Sequence, residues 1–321
     1  MIPKSIIISR TDNLGDVMLT LPLCGYIKKT SPETKIYFLG KAYTQALIET
    51  SSFVDEFILY DEENTKLPQA EAILHVFPNK IIARLSKVKK IKLRIGTSHR
   101  LYHWLFCNKL IKLSRRKSNL HESQLNVLLL QKAFKLTETI PLSEIKNLYG
   151  FQKNDSKSIQ KFLSTEKKNI ILHPKSKGSA REWQVESYLS LAQKLGDSYN
   201  VLITGTLAEG NLIRKECPDF FNERNIQDLT GVITLAELIS LIQNVEVLVA
   251  CSTGPIHIAA ASGILTIGIY PPMKPIHPAR WSPQGENVHV LFKNVNCSDC
   301  RKTENCHCIQ EITVDSVAVF L

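Results

Sequence analysis

Short runs of β-branched residues alternate with segments of helical periodicity along almost the whole chain, and the alternation breaks off and restarts once. Few folds accept that pattern. Strand, helix and strand in repeated succession call for crossover connections, hence a parallel sheet covered on both faces. In the first half, residues 5–9, 35–39, 56–59 and 72–76 are predicted strands, and 16–30, 43–50 and 120–134 predicted helices. A polar stretch, 151–168, is predicted as a helix leading into the second half. There 169–173, 200–204, 245–250 and 265–270 are predicted strands, with helices over 185–195, 207–216, 235–243 and 255–262.

A length of 321 residues suits two domains. The expectation is α/β: two doubly wound, Rossmann-like domains, 1–160 and 161–321, facing each other across a cleft, with the last helix able to pack back on the first domain. In open α/β sheets ligands sit beyond the carboxyl ends of the strands, so the loops after strands carry the chemistry.

The first such loop is Arg10-Thr11-Asp12-Asn13-Leu14-Gly15-Asp16. It has neither the G-x-G-x-x-G of a dinucleotide site nor the Gly-Lys-Ser/Thr of a P-loop, which argues against nicotinamide redox chemistry and nucleoside-triphosphate hydrolysis. Gly15 permits a tight turn, and Asp16 follows it into a first helical turn, where a carboxylate offsets the helix dipole. Asp12 and Asn13 are equally suited to capping. A second loop, from Pro174 to Trp183, holds Lys175, Ser176, Lys177 and Arg181 ahead of a helix beginning near Gln184. Point charges and a guanidinium fork can clamp a diphosphate. The third loop, Cys251-Ser252-Thr253-Gly254-Pro255-Ile256-His257, ends a strand and opens a helix with proline in its first turn. Free N–H groups at Thr253 and Gly254 form an anion site there, Ser252 and Thr253 add hydroxyls, and His257 lies one turn in.

Apolar residues make up 44% of the chain and charged residues 22%, as in a globular protein. No apolar run reaches the ~18 residues of a membrane span, and the apolar start is too short for a secretory signal. A cytoplasmic location is expected, with Cys24, Cys107, Cys217 and Cys251 as reduced thiols. The net charge of +10 is uneven: thirteen Lys or Arg and no Asp or Glu fall between Lys80 and Lys117, so the remainder sums to 10 − 13 = −3. Such a field attracts phosphate groups. Nucleic acid is not the expected partner, because interleaved aromatics, zinc-finger spacing and a recognition helix are all missing from the sequence.

Four further cysteines, Cys297-x₂-Cys300-x₅-Cys306-x-Cys308, crowd the carboxyl-terminal region. Their spacing can supply four thiolates to a structural zinc ion, or form a reduced or disulfide-prone knuckle.

Together these segments resemble glycosyltransferase family 9, the group that includes the lipopolysaccharide heptosyltransferases. The resemblance spans nearly the whole chain. It rests on Gly15-Asp16 with Thr20 and Pro22, Arg94-Ile95-Gly96-Thr97, His121-Glu122 and the Arg-x-Trp ending at Trp183, then Ser252-Thr253-Gly254-Pro255-x-His257-x-Ala259-Ala260-Ala261 and Pro278-x-Arg280-Trp281-x-Pro283. It implies the GT-B architecture with the donor held mainly by the carboxyl-terminal domain. It also implies inverting, metal-independent transfer of a heptose from ADP-heptose, with no cofactor, to the phosphorylated inner core on lipid A.

In that family Asp16 corresponds to the proposed catalytic carboxylate, although a helix dipole is expected to lower its pKa and weaken it as a base. Arg181, where many relatives carry Lys, is assigned to the departing diphosphate. Lys175, Ser176, Lys177, Thr204, Gly205, Glu209, Ser252, Thr253, Gly254 and His257 fall to the donor, with Glu209 on the ribose. Asn13, Gly15, Arg94, Arg100 and His121 fall to the acceptor. Ser252 stands where better-known heptosyltransferases carry Asp, which leaves the sugar open. The basic segment, on the acceptor side, suits a phosphorylated glycolipid and a peripheral contact with an anionic leaflet held by charge. Two alternatives stay open. A sugar-nucleotide epimerase on the same fold is disfavoured by the basic acceptor side. A catalytically silent nucleotide-sugar-binding or partner protein is favoured by Ser252 and disfavoured by Asp16 with Arg181.

Overall fold

In the computed structural model, residues 1–154, 156–274, 276–295, 297, 299–301 and 306–321 are described. The chain opens with β1 (Ser5–Ser9), whose Ile6, Ile7 and Ile8 are fully buried, as a strand covered on both faces requires. Beyond it come β2 (Lys35–Gly40), β3 (Glu56–Leu59), β4 (Ala72–His75), β5 (Leu93–Thr97) and β6 (Lys109–Ile111), forming one sheet in the order β3-β2-β1-β4-β5-β6. The second half contributes β7 (Lys168–His173), β8 (Tyr199–Ile203), β9 (Ile226–Asp228), β10 (Val247–Cys251), β11 (Leu265–Ile269) and β12 (Val288–Leu291), in the order β12-β11-β10-β7-β8-β9. All pairings within both sheets are parallel. Each sheet therefore reverses its winding beside its own first strand, between β1 and β4 and between β7 and β10. Those are the switch points where such sheets bind ligands.

The chain divides into the units Met1–Gln152 and Lys153–Leu321, so the second begins earlier than residue 161. The reason is local. The Asn154 and Ser156 amides donate to Gln243 Oε1 and Ser240 Oγ at 2.7 and 3.0 Å, tying this stretch to the helix Leu235–Ile242 and its C-cap. The expected helix over 151–168 shrinks to a 3₁₀ segment, Lys157–Phe162. The closing helix, Val314–Ala318, packs on Val185–Leu195 of its own unit. Ile309, Ile312 and Val317 enter the core around β7, and Trp183 Nε1 donates to Ile312 O at 2.8 Å.

One expected helix is two. Leu14–Met18 ends and Leu21–Thr30 begins afresh, because Pro22 has no N–H to offer the Met18 carbonyl. Asn126 Nδ2 bridges the break, donating to Leu19 O at 2.9 Å and Thr20 Oγ1 at 3.2 Å.

Candidate active site

The first site grows from the end of β1. Arg10, the residue after the strand, is 4% exposed, and its guanidinium gathers three carboxylates. Nε donates to Asp12 Oδ1 at 2.7 Å, Nη2 to Asp16 Oδ1, and Nη1 lies 3.6 Å from Glu122 Oε1. Glu122 also receives Arg115 Nη1, whose Nη2 donates to Asn126 Oδ1 at 2.9 Å. The Tyr43 hydroxyl fixes the loop by donating to Asp12 O at 2.5 Å.

Asp16 is 18% exposed. Burial pushes its pKa up to about 6 despite the adjoining Arg10. The cation cannot fully compensate because Asp12 and Glu122 share it and add their own repulsion. The expected lowering by a helix dipole is thus reversed: the helix has only five residues, Leu14–Met18, and desolvation dominates. A carboxylate poised near neutrality with an exposed edge suits a general base.

The other residues expected on the acceptor side divide. Asn13 is the N-cap position and makes no side-chain cap bond, while Gly15 is half-buried in the first turn. His121 is buried and caps Glu122–Phe134, its Nδ1 accepting from the Ser123 amide at 3.3 Å in a box with Gln124. Arg94 donates to the Phe106 and Ile91 carbonyls at 2.8 and 2.5 Å and so braces its own sheet. Arg100 is exposed at the start of Leu101–Phe106.

The second unit presents two loops at its switch point. After β7, Lys175 is buried and already neutralised, Nζ donating to Glu216 at 2.6 and 2.7 Å and to Glu182 at 3.1 Å. Ser176 gives both its amide and its hydroxyl to Glu182 Oε1 at 2.7 Å. These residues shape the loop. At its tip Lys177 (φ 51°) and Gly178 (φ 76°) take left-handed conformations, and Lys177 is exposed. Arg181 Nε donates to Cys300 O at 3.3 Å. Arg181 also lines a cavity of about 470 Å³ with Lys175, Gly178, Glu186, Glu216 and Gln310.

The loop after β10 lies alongside, since the Trp183 amide donates to Cys251 Sγ at 3.2 Å. Thr253 is the N-cap of Gly254–Ala261 yet makes no side-chain cap bond, and its buried Oγ1 has no hydrogen-bond partner. Ser252 is half-buried and His257 buried in the first turn. Thr204, after β8, pairs its hydroxyl with His173 Nδ1 at 2.9 Å, and burial holds His173 below its ordinary pKa. Gly205 follows. Glu209 closes a capping box, Oε2 accepting from the Thr206 amide and hydroxyl at 2.7 and 2.8 Å.

The sequence model of glycosyltransferase family 9 (heptosyltransferase) matches residues 78–309. The chain belongs to glycosyltransferase family 9. It is 25% identical over 308 residues to the lipopolysaccharide core heptosyltransferase OpsX of Haemophilus influenzae, covering 91% of this chain and 86% of that one. It superposes on the ADP-heptose heptosyltransferase II of E. coli with a TM-score of 0.76 at 19% identity, covering 99% and 97% of the two chains. With the E. coli heptosyltransferase WaaC bound to ADP the TM-score is 0.70 at 15% identity, covering 98% of each. The fold is GT-B, and this family 9 chain is a heptosyltransferase-like glycosyltransferase.

Sequence reasoning missed Arg10 and Arg115 as members of this carboxylate cluster. Arg10 stood in a quoted loop and Arg115 in the basic run, but nothing in sequence spacing reveals that one guanidinium lies among carboxylates from positions 12, 16 and 122. Alone, the late Glu122 signals only a helix start.

Proposed function

We propose that this enzyme moves a heptose from ADP-heptose to an anionic inner-core glycolipid, with inversion and without a metal in the chemical step. The observation that carries the proposal is Asp16: a carboxylate held by Arg10 at the end of β1, raised to about 6 and still partly exposed. It takes the proton of the acceptor hydroxyl as that oxygen attacks the anomeric carbon from the face opposite the diphosphate. The Thr253–Gly254 turn, with its unpartnered Oγ1 and free helix N–H groups, suits the diphosphate, and Arg181 with Lys177 suits the charge that develops as it leaves. The names of the relatives support heptose and ADP. Calorimetric titration with ADP, UDP and GDP in metal-free buffer tests the donor: ADP binds at least about tenfold more tightly, a difference of ~1.4 kcal/mol. Equal affinities, or preference for UDP or GDP, move the donor elsewhere.

Charge alone does not describe the acceptor side. Leu101, Trp104 and Leu105 on Leu101–Phe106 are 87%, 62% and 66% exposed. The neighbouring helix Lys80–Val88 shows Ile81 and Val88 beside Lys80, Arg84 and Lys87. No helix among the described residues is long and apolar enough to cross a membrane. Apolar side chains ringed by cations instead suit peripheral insertion into an anionic surface, each nearby cation contributing roughly 1 kcal/mol. Phosphatidylglycerol vesicles should shift the Trp104 emission to the blue, and Trp104→Ala with Leu105→Ala should weaken binding more than high salt alone does. Unchanged emission contradicts insertion.

A further inference from the structure

We infer that Cys297, Cys300, Cys306 and Cys308 form a four-sulfur site for a structural zinc-class cation, and that this site fixes the segment whose carbonyl holds Arg181. The sulfurs of Cys297, Cys300 and Cys308 lie within 4.8 Å of one another. That of Cys306 is 2.6 Å from Cys300. A tetrahedral ion with ~2.3 Å metal–sulfur bonds holds its sulfurs about 3.8 Å apart, so the cluster brackets the required size.

All four are free cysteines, and three are buried: Cys300, Cys306 and Cys308. Their surroundings are apolar, with Met273 and Ile276 packed against them. That group offers three sulfurs and no oxygen donor, Cys306 adds a fourth sulfur beside Cys300, and soft ligands of this kind select zinc or ferrous iron over magnesium or calcium. On binding, each thiol releases its proton to solvent and the divalent ion accepts four thiolates, leaving a site of net charge −2. The sequence supplies the geometry in two pieces. Cys297 and Cys300 stand three positions apart in the sequence, and Cys306 is the N-cap residue of the helix His307–Gln310, which carries Cys308 in its first turn.

The knuckle reaches the donor side. Cys300 O accepts from Arg181 Nε at 3.3 Å, and Gln310, two residues past Cys308, lines the same cavity as Arg181. This link rests on the donor role proposed for Arg181; the metal site does not.

The full chain, purified under reducing conditions without chelator, should carry one zinc or iron per molecule by elemental mass spectrometry. Cobalt(II) exchanged into the site should give intense tetrahedral d–d bands and thiolate-to-cobalt charge transfer. Cys297→Ser, at the half-exposed edge of the cluster, should lower metal content and weaken those bands, whereas Cys24→Ser should change neither. Metal content near zero without a cobalt spectrum overturns the site, as does an intact mass two hydrogens light with a Cys300–Cys306 disulfide under the same conditions. Stripping the metal from the wild-type chain should weaken ADP binding roughly tenfold or more, the loss expected when a hydrogen bond to a charged group is no longer held. Unchanged ADP affinity in a chain that does bind metal overturns the link to Arg181 and leaves the site standing.

Discussion

Replacing Asp16 with Asn is expected to lower turnover by a factor of roughly 10²–10⁴, the contribution of a positioned general base, while ADP affinity stays close to that of the wild type. The amide keeps the shape of the side chain but accepts no proton. The pH profile carries the same signature. Because burial raises the Asp16 pKa to about 6, the wild-type rate should be level above that pH. Below it the rate falls about tenfold per unit as the carboxylate takes up a proton. The residual activity of Asp16→Asn should lack that acid limb. Retained turnover, or an unchanged limb in the variant, would reduce Asp16 to a helix-start residue.

Arg10→Met should be the most destabilising single change at the site. Arg10 is buried and faces Asp12, Asp16 and Glu122, so its removal leaves three carboxylates around an apolar side chain. Breaking a buried charge arrangement by deleting one partner typically costs about 3–5 kcal/mol. Urea denaturation at neutral pH reads this directly, and Arg10→Lys should fall between the two, since Lys keeps the charge but not the planar fork. If Arg10→Met folds well enough to assay, its acid limb should move above pH 6, because Arg10 is the group that pulls the Asp16 pKa down. A stability loss under about 1 kcal/mol would show that Arg115 alone balances the cluster.

The sequence exposes the central strands because each is a run of β-branched or apolar residues buried on both faces, such as Ile6-Ile7-Ile8 and Val247-Leu248-Val249. It hides four of the outer ones. β5, β6, β9 and β12 are largely half-exposed, and the first three mix charge into the pattern, as in Leu93-Arg94-Ile95 or Ile226-Gln227-Asp228. The basic run conceals its own structure in the same way: two helices and two strands lie beneath what composition shows only as a field. Within the site, loop positions were legible because they follow strands, but partners were not. The sequence marks Lys175 by its place after a strand but does not reveal its pairing with Glu216, 41 residues later. Nor does it reveal that Glu209 closes a capping box with Thr206. In the other direction, a five-residue helix is too short for its dipole to govern Asp16, and only the packing around Arg10 reveals the burial that does.

The most direct test is turnover of ADP-heptose by the purified wild-type chain with a lipid A inner-core acceptor, following ADP release and the anomeric configuration of the product. ADP release that requires the acceptor, with the anomeric centre inverted, is the result predicted for heptosyl transfer through Asp16. Release without acceptor, retention of configuration, or no turnover from a chain that binds ADP would contradict it.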